Sequence, residues 1–487
     1  MMVQEQAGRK PARTAAATRF TGLKHWVAAG LVALAGMTAL PGAAKSETLG
    51  QTLAWAYEYS GLLEQNRALL RAADEDVAQA VAGLRPIINW TADITRDFGK
   101  ARANNLINTN RDVTFSTGVT LELLLFDFGQ TRFQIDAAKE TVLATREALR
   151  SIEQQVLLRA VAAFYDVQRN RQFVSLRQNN LRLLRQELRA ARDRFEVGEV
   201  TRTDVAQAEA RVASTQGELA QAQGNLAQAI EEYIAVVGRE PGTLQSPRQL
   251  PNLSGGIETS KNIAVRNHPD ILEAQRRVAA ADLTILAADA AMKPRFTAQG
   301  TLGISEELDT SDYGRSGSFG LNMRAPIYQG GLLSSAKRQA QAQRDAARGN
   351  LHVVRRAVVQ DVGNAFAILQ SARVVREASQ EQVRAAQVAF RGVREEATLG
   401  ARTTLDVLNA EQELLDARST LISADVDVAI AAYQVLSAIG QLTAKDLNLN
   451  VQTYDPAAYY NLVKDAPVPL SRQGQQLDRV LKSLGRQ

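Results

Sequence analysis

The 487-residue chain contains no cysteine. Disulfides, thiol chemistry and an acylated N-terminal cysteine anchor are therefore all excluded. Histidine is nearly as scarce. Of three, His25 lies in an N-terminal leader, which leaves only His268 and His352. A histidine-rich metal site is ruled out, a catalytic residue of any kind is not expected, and no metal or cofactor is called for. Glycine and proline are missing from Thr131 to Val197, a stretch of 67 residues. Without helix breakers such a stretch can run as one helix on the order of 100 Å long. That length implies a coiled-coil-like assembly rather than a compact domain. Beyond the leader no window looks apolar enough for a membrane-spanning helix, so any passage through a membrane must use strands.

Residues 1–44 read as a signal peptide. Arg9, Lys10, Arg13, Arg19 and Lys24 precede an apolar run from Trp26 to Leu40, and Pro41-Gly-Ala-Ala44 supplies small residues for cleavage. The run falls short of the roughly 18–20 residues that a membrane anchor needs. The leader holds five Lys/Arg and one acid, so four of the five net positive charges go with it. The remaining chain is close to neutral, which removes the reason to expect nucleic acid as a partner.

What remains is built twice. Phe195-Glu-Val-Gly-Glu-Val-Thr-Arg-Thr-Asp-Val-Ala-Gln-Ala-Glu-Ala210 corresponds to Glu396-Ala-Thr-Leu-Gly-Ala-Arg-Thr-Thr-Leu-Asp-Val-Leu-Asn-Ala-Glu411 at an offset of 202 residues. In both copies a long helix reaches a glycine (Gly198 or Gly400), turns, and restarts. Thr201-x-x-Asp204 and Thr403-x-x-Asp406 read as capping boxes opening the return helices. The first repeat spans residues 45–258: a helix over Glu47 to Leu84, a β-hairpin over 87–123, a long helix over 128–197 and a return helix over 203–236. The second spans 259–449: a helix, a hairpin over 295–326, a long helix over 332–399 and a return helix over 403–440. Residues 450–487 have no counterpart and form a C-terminal tail, of which the last twenty residues look polar.

The hairpins alternate with a period of two. Ile88, Trp90, Ala92 and Ile94 share one face, as do Val113, Phe115, Val119, Leu121 and Leu123; Phe296, Ala298, Leu302 and Ile304; and Phe319, Leu321 and Met323. Polar residues fill the positions between. A polar stretch, Lys100 to Arg111, reads as the loop joining two strands of roughly ten residues each. Four open strands cannot sit in lipid, because their edges would leave backbone groups unpaired. The chain must then stay out of the membrane or share a barrel with copies of itself. Two copies give eight strands with a filled interior, and three give twelve with room for a lumen. The same periodicities fit a soluble sandwich and a purely structural coiled coil, so the residues alone leave a periplasmic structural homo-oligomer open as the alternative.

The order and spacing of these features resemble the TolC family of outer-membrane efflux proteins up to about Leu449. The resemblance is carried by the two-fold repeat, the strand exit Ala325-Pro-Ile-Tyr-Gln-Gly-Gly331, the tip Phe195-x-Val-Gly-x-x-Thr-x-Thr-Asp-Val205, and above all Gly400-x-Arg-Thr-Thr-Leu-Asp-Val-Leu-x-Ala410. The missing lipid-bearing cysteine is similar to the TolC branch rather than the lipoprotein branch typified by OprM. The resemblance implies a mainly α chain with a small β part: a long helical coiled-coil barrel and four strands per chain, shared in a twelve-stranded barrel by a homotrimer. It implies a Gram-negative outer-membrane location with a long periplasmic extension, and a passive exit duct for a tripartite efflux pump or type I secretion system. Its partners would be outer-membrane lipid, a periplasmic membrane-fusion adaptor and, through the adaptor, an inner-membrane pump or ABC exporter.

By position in the family's motifs, Val197, Gly198 and Glu199 with Leu399, Gly400 and Ala401 are the adaptor-docking tips. Arg402 is the gate arginine, with Thr203 and Asp204 its expected partners across hairpins, and Asp406 is the lumen-facing aperture carboxylate. Two departures stand out. Asn409 occupies the second aperture carboxylate's place, and Ala397 that of the usual gate tyrosine. One ring of three carboxylates is then expected where the family has two. Trp90, Phe98, Phe115 and Tyr313 are the candidates for an interfacial aromatic belt.

Overall fold

The structure, a computed structural model, describes residues 46–103, 106–247, 249–251 and 255–483, so the expected signal peptide lies outside the described residues. The chain runs in the order β1 (Glu47–Thr48), α1 (Leu49–Tyr59), α2 (Gly61–Ala82), β2 (Ile87–Ala103), β3 (Leu106–Phe126), α3 (Gln130–Glu196) and α4 (Arg202–Val237). It continues with β4 (Leu244–Gln245), α5 (Ile257–Asn267), α6 (Pro269–Ala290), β5 (Arg295–Glu307), β6 (Tyr313–Arg324), α7 (Leu332–Thr398), α8 (Thr404–Ala438), α9 (Pro456–Val463) and α10 (Arg472–Ser483). Two short helices, a hairpin, a 67-residue helix and a shorter return helix thus occur in the same order on both sides of β4.

The long helices are bounded by glycines in left-handed geometry. Gly129 (φ 87°) and Gly331 (φ 86°) precede α3 and α7, and Gly198 (φ 78°) and Gly400 (φ 77°) follow them. Any Cβ is strained there, which explains the glycine at each end; α3 has none between, while α7 tolerates Gly349, Gly363 and Gly392 within its helix.

The helix expected over Glu47 to Leu84 is in fact two. Ser60 takes an extended backbone (φ −63°, ψ 108°), and its hydroxyl accepts from the Leu63 N–H at 3.3 Å, so it caps α2 while ending α1. His268 does the same between α5 and α6, its Nδ1 accepting from the Asp270 N–H at 3.3 Å. The break is made by a side chain that competes for backbone donors, without a glycine or proline at the break residue itself.

β2, β3, β5 and β6 form one antiparallel sheet in that order, with β2 and β6 at its edges. Its registers put the apolar positions of all four strands on one face: Trp90 lies opposite Val119, Val119 opposite Leu302, and Gly300 opposite both Leu121 and Phe319. Trp90, Leu302, Phe319 and Leu321 are each more than 70% exposed, so this apolar face is bare in the single chain. The opposite face carries Thr91, Asp93, Ser116, Thr120, Thr301, Ser318 and Asn322. The strands of the first hairpin are longer than expected, at 17 and 21 residues, because pairing continues through the stretch taken as a loop, up to Ala103 opposite Leu106. Backbone bonds hold a ladder together whatever the polarity of its side chains, so the loss of apolar alternation at Lys100 did not end the strands.

The main core is a belt around the middle of the long helices. Phe164, Val161 and Leu157 of α3 meet Tyr233 of α4, Val362 of α7, Tyr433 of α8 and Leu442, with α1 and α2 laid against them. Toward the helix-hairpin tips packing thins to smaller groups: Leu181, Leu184 and Leu188 with Val212 and Leu408, and Phe390 with Val407 and Leu414. One expectation needs correcting. The helix Thr404–Ala438 contains an 18-residue stretch long and apolar enough to cross a membrane by length and composition, with a mean hydropathy of 1.4. Its apolar character follows from packing, since Val426, Ala429, Tyr433 and Leu436 enter the belt. The segment beyond 450 carries two short helices, α9 and α10. α9 docks on α2 through Tyr459, whose hydroxyl donates to Glu75 at 2.6 Å, and through fully buried Val463.

Candidate functional site

The two hairpin tips are built alike. At each, the threonine hydroxyl accepts from the N–H three residues on, and the aspartate of that residue returns to the threonine. Asp204 Oδ2 accepts from the Thr201 N–H at 2.9 Å and from its hydroxyl at 2.7 Å. Asp406 Oδ2 accepts from the Thr403 N–H at 3.0 Å and its hydroxyl at 2.8 Å. These bonds favour the ionised acid. The Thr201 hydroxyl, then its N–H, holds the Asp204 carboxyl below the ordinary range, and the Thr403 N–H, then its hydroxyl, does so for Asp406. Both acids are therefore charged throughout the neutral range. Thr403→Ala removes the cap and should cost about 1 kcal/mol locally. Native-state amide exchange over residues 404–407 should accelerate about fivefold, and an unchanged rate would show that the box contributes nothing to the tip.

Arg402 does not meet its expected partners within the chain. Its Nε donates to Glu396 Oε2 at 2.8 Å, six residues earlier on the same hairpin, with both side chains about half exposed. That bond, followed by the Glu396 charge, favours the cation further. Thr203 is exposed on the first turn of α4, and Asp204 is engaged by Thr201, so the structure brings neither to Arg402. Asn409 is exposed one turn beyond Asp406. The tip residues Val197 (71% exposed) and Leu399 (84%) present bare apolar side chains beside Gly198 and Gly400, with Glu199 and Ala401 also exposed.

The sequence reading missed two groups near the tips. Glu396 is one; nothing in its local pattern distinguishes it from the neighbouring Glu395. The other is Glu411, which matches Glu209 in the repeat. Glu209 is exposed and paired with Arg192 at 2.5 Å, whereas Glu411 is only 4% exposed and accepts from Asn180 Nδ2 of α3 at 2.7 Å. The repeat itself carried the only available signal, an acid kept in both copies on helices of different burial.

The family model described as "Outer membrane efflux protein" matches residues 56–239 and 262–441. The chain is 38% identical over 453 residues to outer membrane efflux protein BepC of Brucella suis biovar 1, covering 92% of this chain and 97% of that protein. It is 26% identical over 434 residues to outer membrane protein TolC of Escherichia coli K12, covering 85% and 86%. Among solved structures, the fold is similar to that of CusC, reported for transmembrane channel formation, with a TM-score of 0.71 at 21% identity over 81% of this chain and 92% of that one.

Proposed function

The chain belongs to the outer membrane efflux protein family, and on that premise we propose that three copies form a passive exit duct through the outer membrane. The observation that carries this reading is the four-stranded sheet with one bare apolar face, one polar face and two unpaired edges. In lipid such edges must be closed, and pairing β6 of one copy with β2 of the next closes twelve strands with the apolar face outward and the polar face toward a lumen. Trp90, Phe98, Phe115 and Tyr313 all lie on the apolar face, where an interfacial belt would sit. The internal two-fold repeat turns three chains into a roughly six-fold helical tube in the periplasm. The duct catalyses no reaction; a periplasmic adaptor docks at Val197–Glu199 and Leu399–Ala401, and the inner-membrane pump or ABC exporter behind it supplies the energy. The cargo is that of an efflux or type I secretion system.

The tips are the gate in this reading. Arg402 fixes its own hairpin through Glu396 and reaches Thr203 and Asp204 of a neighbouring hairpin only in the closed trimer. Asp406 supplies a single ring of three lumenal carboxylates, since Asn409 carries no charge. Single-channel recording of the purified protein in planar bilayers tests this. Wild type should show a small, cation-preferring conductance, and Arg402→Ser should raise it several-fold. A pore indifferent to the substitution would retain the duct and sink the gate assignment.

A further inference from the structure

Glu411 of α8 and Asn180 of α3 tie the two helical hairpins together about 12 Å from the α8 cap. Both are more than nine-tenths buried. One hydrogen bond joins them, from Asn180 Nδ2 to Glu411 Oε1 at 2.7 Å. Their other oxygens, Glu411 Oε2 and Asn180 Oδ1, are buried with no hydrogen-bond partner among the described residues. Two orphaned acceptors in one contact lack a single hydrogen. Exchanging the amide's oxygen and nitrogen does not help, because an acceptor would then face Oε1.

We propose that Glu411 carries a proton whenever α8 is docked on α3, closing a two-bond acid–amide pair with Asn180, and that opening of the hairpins releases that proton. The Oε2–H then donates to Asn180 Oδ1 while Oε1 accepts from Nδ2, and every buried polar atom of the pair is satisfied. This rests on the gate reading above and gives it a regulator: acid closes the tube and neutral or alkaline conditions loosen it.

The surroundings agree. From α3, Glu187 adds a negative charge, but it is paired with Arg394 of α7 at 3.1 Å. Arg391 of α7 and Arg418 of α8 line the same cavity of about 190 Å³, and both spend a donor on Gln387, at 3.3 Å each. Arg211 of α4 acts on Glu411 through its charge alone. None of these cations makes an ion pair with Glu411 among the described residues. Burial, then the Glu187 charge, pushes the Glu411 carboxyl from 4.5 up to about 7, against smaller pulls from Asn180, Arg211 and Arg394. The docked state therefore binds more protons than the open one, so its stability is full below the ordinary value of 4.5 and is lost as pH rises to about 7. Across that window the docking equilibrium should change by about a hundredfold.

The test uses full-length protein in planar bilayers across this pH range, together with spin labels on Asp193→Cys and Glu395→Cys, placed on the two hairpins of a chain with no native cysteine. Wild-type open probability should rise about a hundredfold from the acid to the neutral end of the window. Glu411→Gln reproduces both hydrogen bonds without a titrating group, so it should stay closed and lose the hundredfold transition. Asn180→Asp creates a carboxyl pair sharing one proton and should move the transition to higher pH. Asp74, pushed up to about 6 by burial, titrates in the same window, and the Glu411→Gln comparison leaves its contribution untouched. A Glu411→Gln channel that keeps the wild-type transition, or is held open, overturns the proposal, as does an unchanged label distance. A label distance that follows pH only in wild type, with no conductance at any pH, leaves the proposal standing and removes the duct.

Discussion

Leu302→Arg is expected to abolish insertion of the protein into the outer membrane. Leu302 is 71% exposed in the middle of β5, on the apolar face, opposite Val119 on one side and Gly317 on the other. If that face meets lipid, an arginine near the bilayer midplane costs about 2–4 kcal/mol in each copy, and a trimer carries the cost three times. Against a stability of about 5–15 kcal/mol per folded unit, that is a large fraction in every copy. The matched control is Ser116→Arg, on the polar face and opposite Asp93. It should insert normally and lower both conductance and cation preference, because it adds positive charge to the face that lines the proposed lumen. Membrane fractionation and the mobility of folded protein on unheated gels read the first effect, and bilayer recording the second. Equal insertion of both variants would mean that the apolar face does not contact lipid.

Phe164→Ala is expected to cost about 3–5 kcal/mol. Its ring is fully buried in the belt, edge-on to Tyr165 with centroids 5.4 Å apart, where α3 meets the other long helices. Removing it leaves a cavity that stiff neighbours such as Val161 and Val167 cannot close. Denaturant unfolding in detergent should show the midpoint falling with little change in slope. An unchanged midpoint would locate the stability elsewhere, in contacts between copies or in the sheet. The belt matters because the tips are held by much smaller clusters. A structure anchored at its middle is free to move at its far end.

Much of this architecture was legible in the chain because it is written in spacing. Gly198 and Gly400 mark the ends of α3 and α7 because left-handed geometry admits few other residues. Alternation from Ile88 to Ile94 fixes a face, since a slip of one residue would turn every side chain over. What escaped is held by partners far apart in sequence or by rules that composition does not reveal. Ser60 and His268 break helices with side chains that are ordinary elsewhere. β1 and β4 pair over only two residues, too few for a pattern. Strand pairing beyond Lys100 depends on a ladder begun near Ile87. At the hairpin tips, the sequence located the capping boxes, but it could not show that Arg402 turns back to Glu396, or that Glu411 lies buried against a residue 231 positions away.

The equal length of α3 and α7 restricts how such a molecule can change. Each is 67 residues without interruption, and α8 packs against both. Adding one residue to either would rotate everything beyond it by about 100° and turn its packing stripe away from its neighbours. Adding a residue to only one would also put the two tips out of step. The reach of the duct is therefore quantised: it can lengthen only by blocks near seven or eleven residues, which restore the stripe, and only if both halves of the repeat and their return helices take the same block together. A partner that meets both tips at once, as proposed, would impose a fixed ruler on the two long helices.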